Sequence, residues 1–76
     1  MTATVHPRQC ITDIALQYFG SVEAIYIVAQ RLGTSIDATP QAGATFDYSP
    51  DEIIDPAVVN YYKNNNIIPT NNGTDY

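Results

Sequence analysis

Side chains able to do chemistry are few in this sequence, and their spacing excludes most reactions. His6 is the only histidine among 76 residues. Its neighbours Val5 and Pro7 supply no acid that would make it a general base, so it reads as a surface strand residue. Cys10 is the only cysteine, which excludes an internal disulfide and a cysteine-built zinc site. With no helix-borne cation or partner base nearby, it reads as a small buried or capping residue rather than a reactive thiol. Asp51, Glu52 and Asp55 are the densest acidic group, but their spacing fits no calcium loop and lacks its glycine turn. They are assigned to a solvated turn and two helix caps. A paired-carboxylate hydrolase would need a cleft and one carboxyl in an apolar pocket, more than so small a core can supply. No catalytic residue, metal ligand or cofactor site is therefore assigned, and the chain is read as non-enzymatic.

Binding chemistry is better represented. Six tyrosines and no tryptophan are present, and tyrosine either closes a thin core or anchors an interface through its ring and hydroxyl. Tyr26, Tyr61 and Tyr62 are the candidate contact aromatics. The formal net charge is -5, with Arg8, Arg31 and Lys63 the only fixed cations, so no basic patch could neutralise several phosphates. Nucleic acid is excluded as a direct partner. The stretch Met1 to Arg8 lacks a cationic head and an apolar h-region, and no apolar run approaches the ~20 residues needed to span a bilayer. The expectation is a protein cytoplasmic at synthesis, without a membrane partner. Asn72-Gly73-Thr74 matches a glycosylation acceptor, but with no secretory signal before it no role is assigned.

One domain is all that 76 residues allow, and its core must be almost fully used. Ala3 to His6 reads as a short strand ending at Pro7, which cannot donate to a ladder. Ile11, Ile14, Ala15 and Tyr18 follow the i, i+3, i+4, i+7 series of an amphipathic helix, running from Ile11 to Phe19 and stopping at Gly20. Ser21 can cap a second helix, Val22 to Leu32, with Val22, Ile25, Ala29 and Leu32 on one seam and Ile27 and Val28 beside it. That helix is expected to be the most buried element. Gly33 ends it and a loop follows. Alternation over Ala44 to Tyr48 predicts a second strand with Phe46 and Tyr48 on one face. Ser49 to Ile54 reads as a turn with capping-box character. Asp55 as N-cap and Pro56 at the first helical position open a third helix to about Asn64, with Val58, Val59 and Tyr62 on its apolar side. The polar end from Pro69 to Tyr76 reads as a frayed tail.

This order, strand, helix, Gly-Ser hinge, helix, loop, strand, predicts an α+β βααβ domain with a two-stranded antiparallel sheet. Residues 1–50 form that domain, 51–68 a short C-terminal helical extension and 69–76 the tail. With Ile11, Ile14-Ala15, Tyr18 and Gly20, then Gly43-Ala44-Thr45-Phe46-Asp47-Tyr48 before Pro50, the chain resembles the LysM module over about residues 3 to 50. Tyr18-Phe19-Gly20 has an extra aromatic between the tyrosine and the glycine, as in the similar small tail protein X family of contractile phages. The resemblance implies a structural or assembly component of a phage or prophage tail or a related injection machine. The implied partners are a phage-tail-like protein or further copies of the chain, and the implied destination a virion. The alternative it implies is a carbohydrate module for peptidoglycan, the N-acetylglucosamine-containing glycan. The binding loops of such a module correspond to Arg8, Gln9 and Cys10 and to the loop from Thr34 to Ala42, lying together at one end. There Arg8-Gln9-Cys10 stands in place of the family's Gly-Asp-Thr and Leu32-Gly33 in place of its Asn-Pro. Gln9, Thr34, Ser35 and Gln41 are the polar groups those loops would offer.

The coincident seams give an expected core of Ile14, Ala15, Tyr18, Ile25, Ala29, Leu32 and Phe46. Truncating Ile14 to alanine is expected to cost about 2 to 5 kcal/mol, read as a large drop in thermal unfolding temperature. An unchanged melting curve would show that the helical register is wrong.

Overall fold

Two short strands and three α-helices, joined in part by 3-10 turns, make up the α+β architecture of the computed structural model, which describes residues 1–69. The expected tail, with Asn72-Gly73-Thr74, lies outside the described residues from residue 70 onward.

Strand β1 (Thr2–Thr4) pairs antiparallel with β2 (Thr45–Asp47) in the register Thr2↔Asp47, Ala3↔Phe46, Thr4↔Thr45. The first strand begins and ends earlier than the expected Ala3 to His6. Val5 still exchanges backbone hydrogen bonds with Gly43 and Ala44 at 2.8 Å. His6 then leaves the ladder because its N–H donates to the side-chain Oε1 of Gln9 at 2.9 Å. Arg8, at φ 69, turns the chain into the first helix. Alternation along the sheet buries Ala3, Val5, Phe46 and Tyr48 and leaves Thr2 and Thr4 in solvent, the period of two that a one-sided sheet requires.

Helix α1 (Ile11–Phe19) starts at the N-cap Cys10. The Asp13 carboxylate accepts from the Cys10 N–H at 3.0 Å and from its S–H at 3.1 Å, so the lone cysteine serves a helix start. Ile11, Ile14, Ala15 and Phe19 are fully buried. This makes α1 the most buried element, not the second helix as expected. Phe19, treated in sequence as an additional aromatic, is the largest fully buried side chain.

The expected second helix is divided. Ser21 caps a 3-10 turn over Val22–Ala24, its hydroxyl accepting from the Glu23 N–H at 3.1 Å, and helix α2 then runs over Ile25–Leu32. The tighter turn changes the angular progression of side chains. The seam is therefore displaced. Ala24, Val28 and Ala29 are buried, Ile25 and Leu32 pack half-buried at the margin, and Val22 is 49% exposed. Of the expected core, Ile14, Ala15, Ala29 and Phe46 are deeply buried, while Tyr18, Ile25 and Leu32 lie at its edge. Tyr18, Phe19, Phe46 and Tyr48 form an aromatic cluster, with Phe19 and Phe46 stacked at 6.4 Å and Phe19 and Tyr48 tilted at 5.3 Å.

After β2 the chain makes a 3-10 turn over Pro50–Glu52 and enters helix α3 (Pro56–Asn64), whose N-cap Asp55 accepts from the Ala57 and Val58 N–H groups at 3.1 and 3.4 Å. The two ends of α1 and α3 meet. The Phe19 carbonyl, left unpaired by the end of α1, accepts from the N–H groups of Ile54 at 2.8 Å and Asp55 at 3.1 Å. Gly20, at φ +79, makes room for this, because a Cβ there would lie 2.1 Å from the Asp55 carbonyl oxygen.

Gly20 and Gly33 separate conformation from crowding. Both have positive φ, but a Cβ on Gly33 would meet nothing within 4 Å. Gly33→Ala is expected to cost about 1 kcal/mol, the left-handed penalty alone. Gly20→Ala is expected to cost clearly more and to speed amide exchange at Ile54 and Asp55. Equal melting temperatures for the two variants would show that the α1–α3 junction bears no weight.

Candidate functional site

A cleft of about 380 Å³ lies between α1, the end of the sheet, α3 and the segment that follows α3. Its position follows from local rules. Gln17 and Tyr18 come from the last turn of α1, Tyr48 from the residue after β2, and Met1 from the residue before β1. Val59, Tyr62 and Lys63 share one side of α3 at the i, i+3, i+4 spacing, and all three line the cleft. Asn66, at φ 55, reverses the chain after α3, and the Ile67 N–H donates to the Tyr62 carbonyl at 2.9 Å. Ile67 and Ile68 thereby close the remaining wall.

Two hydrogen-bond systems hold the walls in place. The Tyr18 hydroxyl accepts from the Thr4 N–H at 3.1 Å and donates to the Thr4 carbonyl at 3.0 Å. These are the backbone groups Thr4 turns away from β2, so α1 caps the sheet edge. Gln9 provides the second. Its Nε2 donates to Gln17 Oε1 at 2.6 Å and to the Pro69 carbonyl at 3.0 Å while its Oε1 accepts from His6.

Tyr48 lies edge-on to Tyr18 at 5.6 Å. Burial pushes its phenol above the ordinary tyrosine range, and Tyr18 adds to the shift, so Tyr48 presents a neutral hydroxyl. Tyrosine rings and aliphatic side chains form most of the lining, and Gln17, Asn66 and Lys63 are its polar and charged residues beside the tyrosine hydroxyls, with the Met1 α-ammonium held on the Tyr48 carbonyl at 2.9 Å. Such a surface offers stacking, apolar burial and a few directed hydrogen bonds, the chemistry of a binding pocket.

The residues singled out in sequence fall elsewhere, with one exception. Tyr62 lines the cleft, and Tyr61 packs edge-on against it at 5.8 Å with 58% of its own surface exposed. Tyr26 is 67% exposed on α2, away from the cleft. Arg8, Thr34, Ser35 and Gln41 are exposed, and Cys10 is half-buried at its cap. The pairing of Val5 with Gly43 and Ala44 brings the bases of the two loops side by side. No hydrogen bond between described residues joins Arg8, Gln9 or Cys10 to the loop from Thr34 to Ala42. Gln9, expected to be an exposed polar group, is instead 1% exposed. An amide buried this deeply must satisfy its own donors and acceptors, and Gln9 spends them on His6, Gln17 and Pro69. Asp51, Glu52 and Asp55 do not converge, and among the described residues no group of three metal-ligating side chains comes together.

The α3 face was visible in sequence as an apolar stripe, but its partner surface was not. By its spacing Tyr18 belongs to the core seam of α1, and Lys63, Ile67 and Ile68 carry no periodic signal. No protein-family model, curated protein or solved structure matches the chain. Among the described residues no single helix is long and apolar enough to cross a membrane.

The wall carrying Tyr48 is anchored from behind. Arg31 donates from Nη1 to the Asp47 carbonyl at 2.7 Å and forms a two-pronged pair with the Glu52 carboxylate. Glu52 also accepts from the Ser49 N–H at 2.9 Å. The Arg31 hydrogen bond, followed by that from Ser49, holds the Glu52 carboxyl below the usual carboxylate range. A lowered folded-state pKa gives stability that is present above the unfolded value and lost as pH falls through the folded one. The melting temperature is therefore expected to fall on acidification below the ordinary glutamate range. Glu52→Gln should lower it at neutral pH and flatten the acid slope, and an unchanged slope would show that the clamp contributes nothing.

Proposed function

We propose that this chain is a small non-catalytic LysM-like module serving as an assembly component of a phage or prophage tail or a related injection machine. Support comes from the order β1, α1, α2, β2 and from the residues that carry the resemblance, Ile11, Ile14, Ala15, Tyr18, Gly20 and Gly43 to Tyr48. One observation carries the choice of assembly. The described surface holds a tyrosine- and aliphatic-lined cleft, while Gln9, one of the polar groups a glycan-binding loop would offer, is buried in internal hydrogen bonds. Aromatic and aliphatic surface of this kind suits protein contacts, where tyrosine is an enriched anchor.

A second reading, a carbohydrate module for peptidoglycan, draws on the same cleft, since Tyr18, Tyr48 and Tyr62 beside the amides of Gln17 and Asn66 combine stacking faces with polar groups as sugar sites do. Two measurements separate the readings. Sedimentation of the chain co-expressed with the products of its neighbouring genes is expected to show a stable complex with a tail-tube or baseplate protein. Titration with N-acetylglucosamine oligomers and peptidoglycan fragments, followed by amide chemical shifts, is expected to show no saturation in the micromolar range. Saturable shifts confined to residues 8–10 and 34–42, or to the cleft, would replace the assembly reading with the carbohydrate one.

A further inference from the structure

The cleft differs in charge from the rest of the molecule. The chain carries eight acidic residues against three fixed cations, yet among the described residues no carboxylate lines the cleft and Lys63 does. Arg31 is already held by Asp47 and Glu52, whereas the Lys63 ammonium has no carboxylate partner among the described residues. We propose that the cleft seats a segment of a partner protein carrying a large apolar side chain next to a carboxylate. The apolar group lies among Tyr18, Tyr48 and Tyr62, and the carboxylate meets Lys63.

This proposal rests on the assembly reading and specifies its partner. At about 380 Å³ the cleft is within the size range of built binding pockets. Two of its three tyrosines are held in place, Tyr18 by both backbone groups of Thr4 and Tyr48 by burial, which lowers the ordering cost of seating an incoming side chain. Charge decides among the occupants. A second copy brings another net -5 and the two repel. A neutral sugar can take hydrogen bonds from Lys63 but brings no charge to it. An acidic apolar segment uses both the rings and the ammonium, and the local reversal of sign selects it from segments that the chain's general field would otherwise repel.

The test uses the full chain, isotopically labelled, titrated with three blocked pentapeptides, acetyl-Gly-Leu-Phe-Glu-Gly-amide and its counterparts with glutamine or lysine in place of glutamate. Saturating shifts are expected at Tyr18, Tyr48, Tyr62 and Lys63, with affinity several-fold higher for the glutamate peptide than for glutamine and lowest for lysine. Lys63 is exposed, so Lys63→Glu should fold and should invert that order. Equal binding of the three peptides, shifts elsewhere, or no shift at millimolar peptide overturns the proposal. So do concentration-dependent cleft shifts without peptide, which would identify a second copy as the occupant. Cleft shifts on Asp75→Asn without peptide would identify the chain's own residues 70–76 and overturn it equally. Sedimentation with the tail-tube and baseplate proteins keeps the two readings apart. A complex formed equally by the natural chain and by Lys63→Glu sinks the cleft proposal and leaves assembly standing. Selective peptide binding without any such complex sinks assembly and leaves the cleft standing.

Discussion

The meeting of α1 and α3 at Phe19, Gly20, Ile54 and Asp55 is the constraint on which the rest of the structure depends. A helix ends with carbonyl groups that nothing inside it can satisfy, and at the end of α1 the Phe19 carbonyl takes two N–H donors from the chain entering α3. Backbone can come that close because Gly20 has no Cβ to collide with the Asp55 carbonyl. Asp55 then does a second task, capping α3 with its side chain, so one short segment both docks on α1 and sets the start of the next helix. The cleft is a consequence: its opposite walls, Tyr18 on α1 and Val59, Tyr62 and Lys63 on α3, face one another across this junction.

A core this small relies on aromatic rings and on shared hydrogen bonds. Phe19, Phe46 and Tyr48 lie within 5.3 to 6.4 Å of one another, in tilted and stacked contacts that add to plain area burial. Tyr18 sits at the boundary, its ring edge-on to Phe46 and Tyr48 and its hydroxyl on both backbone groups of Thr4. A two-stranded sheet exposes an unpaired edge that invites association with other strands. Here a helix-borne phenol blunts it, and the residue that protects the edge also lines the cleft.

Polar side chains are used inward more than the composition suggests. Gln9 ties the turn at His6 to α1 and to the chain beyond α3, and Arg31 ties α2 to the end of β2 and to the turn at Glu52. Both are long-range links that hold loops in place where apolar contacts are scarce. Lys63 lines the cleft in this strongly acidic chain, where no carboxylate of the described residues does.

Local signals determined the elements. The spacing of Ile11, Ile14, Ala15 and Tyr18 with Gly20 after them placed α1, the Asp55-Pro56 pair placed α3, and alternation at Phe46 and Tyr48 placed the buried face of β2, because periodicity, caps and breakers act within a turn or two of chain. What depends on distant partners departs from these local signals. Val22 is half-exposed since the Ser21 cap favours a 3-10 turn over an immediate α-helix. Phe19 is wholly buried since the Phe46 and Tyr48 rings come to meet it. Gln9 is interior since Gln17 and the Pro69 carbonyl converge on it from 8 and 60 residues away. The cleft belongs to this second class. Tyrosine content announced binding surface, but which rings face a shared hollow was decided by the docking of α3 on α1, a contact between residues more than thirty positions apart that no local pattern encodes.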